Sequence, residues 1–480
     1  MDDDIFIAMP VYRGAEFIGE TVRSIREQTY SRFHVVMSVD GADDPTIELC
    51  RSFTDDPRFE LFVQPTRRGW FGNFAWLTRR CDRKYFCYWQ QDDLASTGYL
   101  GSLRNQLLID PEASIAHTDI QWFGSQFHRD SVDGVFGTPL ERVLQRLESI
   151  HYGPLRGLVR SSALPTMDAP VWTNSTGLDQ SEFVFLAELA ARGSFHRVTS
   201  AMYFKRAHPA AATDAWVALE PHLRRIDWID MGIGILKVAL PLTTVEDHRR
   251  LLATVLDRLA VKRAGRGFSY VPEQTGPAVA DFVGDFMDQA AVRLPDLPLS
   301  DLAGGEWELA PGSGFERPIH PWIIAALKAE AERCRALRDL TTGVANDESV
   351  ELSVADGGKG LITLRSGWST PEPWGVWTEG PVATISLPPG SHRRVALHGA
   401  AFVPNEPIRV GCAVDGSPVT FSEVPDANLV TLSIDLPGGP THKASILQLY
   451  LPDASSPADA GGSTDERMLG FGLHRIVLYR

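Results

Sequence analysis

Residues 85–93 read YFCYWQQDD, and the change of character within this stretch decides how the first part of the chain folds. Five apolar or aromatic residues in a row predict a strand that is buried on both faces. The strand is followed by two glutamines and then by two adjacent aspartates, Asp92 and Asp93. Neighbouring carboxylates repel each other and are costly beside a core unless a positive partner is present. The stretch therefore predicts a buried strand whose end binds something positively charged.

Similar apolar runs precede this strand at residues 5–9, 33–39 and 59–63, and helical patterns separate them. In the first helical pattern, for example, Ile18, Val22 and Ile25 recur at the spacing of one helix face. Continuous apolar strands that alternate with helices are typical of a mostly parallel, Rossmann-like α/β sheet. Such sheets bind ligands beyond the carboxyl ends of their strands. The polar segments that follow each run here are the candidate site.

The pattern of apolar and polar residues changes twice further along the chain. Residues 216–345 are mostly helical in pattern, whereas short alternating runs separated by Gly and Pro begin near residue 348. Short strands with regular turns predict an antiparallel β-sandwich. We therefore predict an α/β domain at 1–215, a helical region at 216–345 and a β-sandwich domain at 346–480.

Composition excludes some classes of function. A formal net charge of −15 argues against a duplex nucleic-acid partner, because such binding depends on basic patches. Five scattered cysteines show neither metal-like spacing nor a disulfide framework. Neither a signal peptide nor a membrane-spanning run is recognisable, so we expect a cytoplasmic protein. Action at the inner face of the membrane, on a membrane-bound substrate, stays compatible with the sequence, as does homo-oligomerisation.

Several stretches, taken together in order, resemble the family 2 nucleotide-sugar glycosyltransferases. They are IAMPVYRGAEFIGETVRSIREQTY, VVMSVDGADD, RRGWFGNF, QQDDLAS, GLDQSEFVFLAELAARG and YFKRAHPAA, which together lie within residues 4–210. The resemblance implies the A-type glycosyltransferase fold and an inverting transfer from a nucleotide sugar to a hydroxyl acceptor. It also implies Mn²⁺ or Mg²⁺, which would neutralise the donor diphosphate and supply the positive partner at the paired aspartates.

The resemblance assigns residues to the donor site. Asp93 would contact the metal, and Asp92 would face the sugar or ribose hydroxyls. Asp40 would accept a hydrogen bond from the base, which favours UDP or dTDP donors. Each aspartate also has a structural interpretation, as a helix cap for the pair and as a turn residue for Asp40. Further candidates are Pro10 and Tyr12 in the base pocket, Arg68 near the base or phosphates, and His208 near the metal or diphosphate, with Lys205 and Arg206 beside it.

An inverting transfer needs a general base that takes the proton of the acceptor hydroxyl. By resemblance Asp179, just before a predicted helix, is the candidate, and Glu182 is the alternative. The family often has Glu-Asp at this point, whereas this chain has Leu-Asp-Gln. Asp179 could equally be a helix N-cap. Loop residues expected on the acceptor side are Trp122, His151 and Trp172.

The predicted sandwich contains Trp368, Trp374 and Trp377 within ten residues. The segment resembles accessory domains of bacterial polysaccharide-assembly proteins, which implies either glycan binding or a structural role for the tryptophans. The sequence as a whole favours a glycosyltransferase that acts on a bacterial surface glycan, a lipid-linked acceptor or another hydroxyl acceptor. The alternatives are a nucleotidyltransferase that makes the sugar nucleotide and a non-catalytic glycan-binding or scaffold protein.

Overall fold

The computed structural model describes most of the chain, in thirteen segments. These are residues 5–41, 43–166, 181–208, 221–261, 274–294, 318–340, 349–402, 409–426, 429–437, 445–452, 454–458, 464–465 and 467–480. The described residues up to 261, together with Pro318, form one compact unit, and those from 274 onward, without Pro318, form a second. Asp179 and Trp172 lie outside the described residues.

The first unit is built on a mixed sheet whose strand order is β3-β2-β1-β4-β8-β6-β9-β5, with β7 paired to β6. The first four strands are mutually parallel, as are β6 and β9, whereas β8 is antiparallel to both of its neighbours. The strands are β1 (Ile5–Val11), β2 (Phe33–Val39), β3 (Phe59–Val63), β4 (Tyr85–Tyr88), β5 (Leu94–Ala95), β6 (Ala113–Gly124), β7 (Arg129–Asp130), β8 (Leu158–Arg160) and β9 (Ser194–Ala207). The predicted mostly parallel α/β sheet is confirmed.

Helices cover this sheet and extend beyond it. They are α1 (Ile18–Arg26), α2 (Thr46–Ser52), α3 (Gly69–Arg79), α4 (Tyr99–Ile109), α5 (Pro139–Glu148), α6 (Ser181–Arg192), α7 (Pro221–Ala239) and α8 (His248–Ala260). Local sequence explains their limits: Thr138 and Glu141 form a capping box at the start of α5. As predicted, Ile18, Val22 and Ile25 of α1 are buried.

The apolar runs form the core of the first unit because both faces of their strands are covered. All four residues of β4 are buried, and β1 and β2 are buried along nearly their whole length. Removing such side chains from water stabilises the fold by roughly 1.5–3 kcal/mol each. The core thus fixes the register of the parallel strands, and with it the positions of the segments that follow their carboxyl ends.

The described residues of the second unit form two α-helices and two antiparallel sheets. The helices are α9 (Gly276–Arg293) and α10 (Pro321–Asp339). One sheet has the order β10-β19-β13-β17-β16 with β11 paired to β19, and the other has the order β12-β18-β14-β15. The strands are β10 (Ser349–Ser353), β11 (Val376–Glu379), β12 (Val382–Leu387), β13 (Arg394–Ala401), β14 (Gly411–Val414), β15 (Ser417–Pro418), β16 (Phe421–Asp426), β17 (Leu429–Asp435), β18 (Ser445–Tyr450) and β19 (Leu469–Tyr479).

Buried residues from both of these sheets share one apolar core, so the predicted β-sandwich is confirmed. The proposed domain limits near 215 and 345 stay predictions. In the sandwich, the rings of Trp374 and Trp377 lie 5.0 Å apart, and the ring of Phe402 lies 5.9 Å from that of Trp377. Indole nitrogens are also engaged: Trp368 donates to the carbonyl of Thr384 over 2.9 Å. These contacts match the structural interpretation of the tryptophans.

No helix in the described part of the chain combines the length and the apolar character needed to cross a bilayer.

Candidate active site

The candidate site lies where β1, β2 and β4 end, because parallel strands place their carboxyl ends at one edge of the sheet. Gln91, which follows β4, holds the segment that follows β1. Its side-chain oxygen accepts from the backbone N–H of Tyr12 over 2.9 Å, and its side-chain nitrogen donates to the carbonyl of Tyr12 over 2.9 Å. A Cβ atom on Gly14 would overlap that side-chain oxygen, so a larger residue there would displace the Gln91 side chain.

Asp40 follows β2 and binds the start of α3. Its two carboxylate oxygens accept from the backbone N–H groups of Arg68, over 2.7 Å, and Gly69, over 3.0 Å. These amides are among those that the first turn of a helix leaves without an intrahelical partner. The contacts fix the orientation of a carboxylate that is only 4% exposed. Each oxygen keeps a second lone pair, so the predicted contact with a base stays a prediction.

The other predicted residues of the base pocket are found nearby. Pro10 lies in β1 beside Ser38 of β2. The guanidinium carbons of Arg67 and Arg13 lie 4.3 Å and 5.2 Å from the centre of the Tyr12 ring. The side chain of Arg68 donates to the side-chain oxygen of Gln64 over 2.7 Å. Arg67 and Arg13 therefore bring positive charge to the ring of Tyr12, and the predicted role of Arg68 near the base or phosphates stays a prediction.

Asp92 and Asp93 are adjacent in sequence but face different surroundings. The Oδ2 atom of Asp92 lies 2.9 Å from Nε2 of His208, and both side chains are partly exposed, at 18% and 17%. The pairing of β5 with β9 explains this contact. Because Leu94 lies opposite Phe204 in an antiparallel ladder, the residues before Leu94 meet those after Phe204. The predicted site residue His208 is thus brought to Asp92.

Asp93 is fully buried. Its Oδ1 atom accepts from the backbone N–H of Arg206 over 2.9 Å, and no group in the described segments donates to its Oδ2 atom. Burial raises the pKa of Asp93, and Lys205 opposes that rise. The structure therefore separates the two aspartates into an accessible one that faces His208 and a buried one that does not. The predicted metal contact of Asp93 stays a prediction.

Buried polar groups lie close to the end of β4. Lys205, in β9, is only 8% exposed, and its Nζ atom donates to the side-chain oxygen of Gln90 over 3.3 Å. Burial raises the pKa of Tyr88 to about 12, which keeps its hydroxyl protonated. Glu182 lies in the first turn of α6 and is close enough to affect the titration of both Tyr88 and Lys205. The alternative base candidate therefore lies near these buried groups.

The predicted acceptor side is organised around Asp130. Trp122 was predicted to lie in a loop, but it lies in β6, and its indole nitrogen donates to Oδ2 of Asp130 over 2.6 Å. The Nε2 atom of His151 lies 3.4 Å from the same oxygen. The Nδ1 atom of His151 accepts from the backbone N–H of Gly153 over 2.9 Å. Since Nδ1 is an acceptor, the proton of the neutral ring is on Nε2, toward Asp130. His151 thus orients the loop and has no free nitrogen for base catalysis.

Sequence reasoning missed Arg156, which is only 4% exposed and donates from Nη2 to the side-chain oxygen of Gln90 over 2.9 Å. It belongs to the short 3-10 turn Gly153–Arg156. The signal was a charged residue inside the apolar run GPLRGLV, since a buried arginine requires polar partners. Gln90 and Gln91 were read only as polar residues before the aspartates, although both side chains bridge segments of the site.

The described residues contain no group of three or more His, Cys, Asp and Glu side chains that could hold a metal ion. At the candidate site, Asp92 and His208 lie within hydrogen-bond distance of each other.

The mostly parallel sheet, with an acidic turn beyond its fourth strand, defines the class of protein. Residues 6–163 match the family model described as glycosyl transferase family 2. The chain therefore contains a family 2 glycosyltransferase domain, and the resemblance predicted from the sequence is confirmed.

Two curated relatives are similar to parts of the chain. One is the glycosyltransferase GlyA of Streptococcus pneumoniae serotype 4, 23% identical over 136 residues, which cover 28% of this chain and 18% of the relative. The other is an uncharacterized glycosyltransferase of Haemophilus influenzae, 33% identical over 66 residues, which cover 14% of this chain and 26% of the relative. The chain thus spans about a quarter or less of the length of these relatives.

Among solved structures, the chain is similar to S. aureus TarS, residues 1–349, in complex with UDP. The TM-score is 0.44 at 16% sequence identity, and the match covers 70% of this chain and 90% of the other.

Proposed function

We propose that the protein is an inverting, metal-dependent glycosyltransferase. It would move a sugar from a nucleoside diphosphate sugar to a hydroxyl group of a bacterial surface glycan, a lipid-linked acceptor or another glycoconjugate. The observation that carries this proposal is the contact between Asp92 and His208 at the ligand-binding edge of a family 2 glycosyltransferase domain.

The Asp92–His208 pair suits a divalent cation better than Asp93 does. Mg²⁺ and Mn²⁺ are commonly held by one or two protein side chains together with substrate phosphates and water. A carboxylate suits both ions, and a nitrogen ligand is accepted more readily by Mn²⁺. When bound, the cation neutralises charge on the diphosphate leaving group. We therefore assign Asp92 and His208 as the ligands, whereas Asp93, which is fully buried, supports the turn beneath them.

The protein's own residues would do the rest of the chemistry. Asp40, held by two backbone amides, presents fixed acceptor oxygens to the base, which favours the imide N–H of uracil or thymine. A carboxylate at the start of α6 would take the proton from the acceptor hydroxyl as that oxygen attacks the anomeric carbon. Asp179 is our candidate for this base by family resemblance, and Glu182 is the alternative.

The base assignment is tested by comparing Asp179→Asn with Glu182→Gln. The variant that removes the base should lose turnover while its affinity for the donor stays close to that of the wild type, because donor binding does not need the base. Near-normal turnover in Asp179→Asn, combined with loss in Glu182→Gln, would transfer the role to Glu182.

The proposed function is tested by a thermal-shift panel of nucleoside diphosphate sugars with and without Mn²⁺. A ligand present at a hundred times its dissociation constant stabilises the folded state by about 2.7 kcal/mol. We expect a UDP or dTDP sugar to raise the melting temperature only when Mn²⁺ is present. Asp92→Asn should abolish this shift, whereas the control Asp82→Asn, at a side chain that is 68% exposed, should keep it. The absence of a shift with every nucleotide sugar would contradict the proposal.

A further inference from the structure

Phe127 is the most exposed large apolar side chain in the described segments, at 83%. It lies in the short connection between β6, which ends at Gly124, and β7, which begins at Arg129. A contact that removes such a ring from water is favourable, because apolar surface is buried. Single exposed apolar residues are nevertheless common on protein surfaces. The position of Phe127 and the rigidity of its backbone therefore decide whether it has a function.

The connection that carries Phe127 is held firmly by the residues at its base. The backbone N–H of Trp122 donates to the carbonyl of His128 over 2.8 Å, and the two rings are stacked with their centres 5.0 Å apart. The side-chain nitrogen of Gln121 donates to the same carbonyl over 3.0 Å. The ring of Trp122, a predicted acceptor-side residue, is thus used within the hairpin, whereas that of Phe127 is exposed. An exposed ring on a fixed backbone binds with little loss of conformational entropy.

The same connection is attached to the residue that precedes His208. The backbone N–H and the hydroxyl of Ser125 both donate to the carbonyl of Ala207, over 3.0 Å and 3.1 Å. Gly124 pairs with Ala207 in the parallel ladder, with a φ of +95°, and a Cβ atom on it would lie 2.6 Å from that carbonyl oxygen. Phe127 is therefore two residues from an attachment point beside His208, at the edge of the sheet where ligands bind.

The surroundings of Phe127 favour a sugar over a lipid as the binding partner. Residues 125–128 are Ser, Gln, Phe and His, and all four are exposed, so one apolar ring lies among polar side chains. Binding to a membrane surface requires a larger apolar area, made by several residues side by side. A sugar ring, in contrast, can place its C–H face on a single aromatic ring and its hydroxyl groups on the polar side chains around it.

We propose that Phe127 binds a sugar ring of a glycan acceptor and makes the protein prefer acceptors of two or more sugars. The inference rests on the proposed function, since it takes the chain to transfer a sugar to a hydroxyl group. The reacting hydroxyl would enter near Asp92 and His208, which are partly buried, whereas Phe127 is exposed on the hairpin. The two contacts therefore suit different sugars of one glycan.

The experiment compares the wild type with Phe127→Ala and Phe127→Tyr. Each protein is incubated with Mn²⁺ and a set of UDP and dTDP sugars labelled in the sugar, on an array of bacterial monosaccharides and oligosaccharides. The values of kcat and KM are then measured for each glycan that becomes labelled. Phe136→Ala is the matched control, because Phe136 is 50% exposed and follows Val135, which pairs with Phe195 near the opposite end of β9. Melting temperatures confirm that the variants are folded.

We expect the wild type to label oligosaccharides in preference to monosaccharides. Phe127→Ala should raise KM for the labelled oligosaccharide about tenfold and change kcat little, because the lost stacking contact affects binding of the acceptor and not the reacting atoms. Phe127→Tyr, which keeps the aromatic ring, should have a KM close to that of the wild type, and so should Phe136→Ala.

An unchanged KM in folded Phe127→Ala would overturn the assignment. If that variant instead loses binding to vesicles of phosphatidylglycerol and phosphatidylethanolamine, with KM unchanged, the ring contacts lipid and the assignment is wrong. A wild type that binds a nucleotide sugar in the thermal-shift panel but labels no glycan would overturn glycan recognition by Phe127 and leave donor binding intact. If the wild type binds no nucleotide sugar and labels no glycan, both proposals fail.

Discussion

Asp93 and Asp119 are two buried aspartates of the same unit, one just after β4 and the other within β6, and their surroundings are opposite. Asp119 is 1% exposed and is bound by two arginines, with Nη2 of Arg129 at 2.6 Å and Nε of Arg197 at 2.7 Å. Burial alone would raise its pKa, but the hydrogen bonds from Arg197 and Arg129 outweigh burial and lower it to about 2. Burial of Asp93, without such a partner, raises its pKa.

The difference distinguishes a structural charge from a functional one. The Asp119 region is electrostatically complete, because two guanidiniums from β7 and β9 satisfy the carboxylate and join three strands. The region around Asp92, Asp93, Arg156 and Lys205 contains buried groups of both signs that are not fully paired with one another. Buried groups with perturbed pKa values cluster at functional sites, so we interpret this region as the functional one.

The largest effect is expected from Asp92→Asn, which removes the negative charge at the incomplete region. We expect kcat/KM to fall by about a hundredfold or more, because stabilisation of the leaving diphosphate is lost together with the cation. Initial rates measured across a series of Mn²⁺ concentrations test this. Wild-type rates with unchanged Mn²⁺ dependence would show that Asp92 is not a ligand.

A substitution in the region around Asp119, where the charges are fully paired, should change the stability of the protein and leave its activity unchanged. Asp119→Asn is expected to lower the free energy of unfolding by about 2 kcal/mol, since two arginines lose a charged partner. Because the folded-state pKa of Asp119 is lowered, its stabilising contribution is present above pH 4 and is lost as the pH falls toward 2. Urea unfolding at several pH values should show the two proteins converging at acid pH. A difference that is independent of pH would contradict this.

Asp40→Ala tests a carboxylate that caps α3 and is also predicted to bind the base of the donor. Removing the acceptor for the first backbone amides of α3 should cost about 1 kcal/mol of stability. It should also weaken donor binding if the carboxylate reads the base. Asp40→Asn, which keeps one acceptor oxygen, is the control. Chemical denaturation and calorimetry with UDP separate the two effects, and unchanged affinity for UDP would leave Asp40 with the capping role alone.

The smallest effect is expected from Asp93→Asn. The amide oxygen can still accept from the Arg206 backbone, and the substitution removes a carboxylate that burial disfavours. We therefore expect the free energy of unfolding at pH 7 to stay within about 1 kcal/mol of the wild-type value. Relative to this variant, the wild type should gain stability as the pH falls, since the pKa of Asp93 is raised by burial and protonation relieves its cost. A large loss of stability at neutral pH would show that the charge is paired.

The sequence predicted the fold well where patterns are local. Continuous apolar runs identified β1 to β4 because strands covered on both faces need no polar residues, and the spacing of Ile18, Val22 and Ile25 identified α1. Patterns of this kind carry no information on which strands pair. The antiparallel insertion of β8 between β4 and β6, and the pairing of β5 with β9, could not be predicted from them.

The sequence identified several residues of the candidate site, but it did not predict which of them lie in contact. The motif located Asp92, Asp93 and His208, but which aspartate faces the histidine depends on the ladder between β5 and β9, a contact across more than a hundred residues. Arg156 was missed because a 3-10 turn has too few residues to show periodicity. Its partner Gln90 is 66 positions away, a separation that no local pattern detects.

Electron paramagnetic resonance of Mn²⁺ bound to the protein with a nucleoside diphosphate tests most directly whether Asp92 and His208 bind the metal ion. We expect coupling of the manganese spin to an imidazole nitrogen in the wild type and in Asp93→Asn, and loss of that coupling in His208→Ala. A bound Mn²⁺ ion without nitrogen coupling in the wild type, or one whose coupling survives in His208→Ala, would contradict the assignment of Asp92 and His208 as the metal-binding pair.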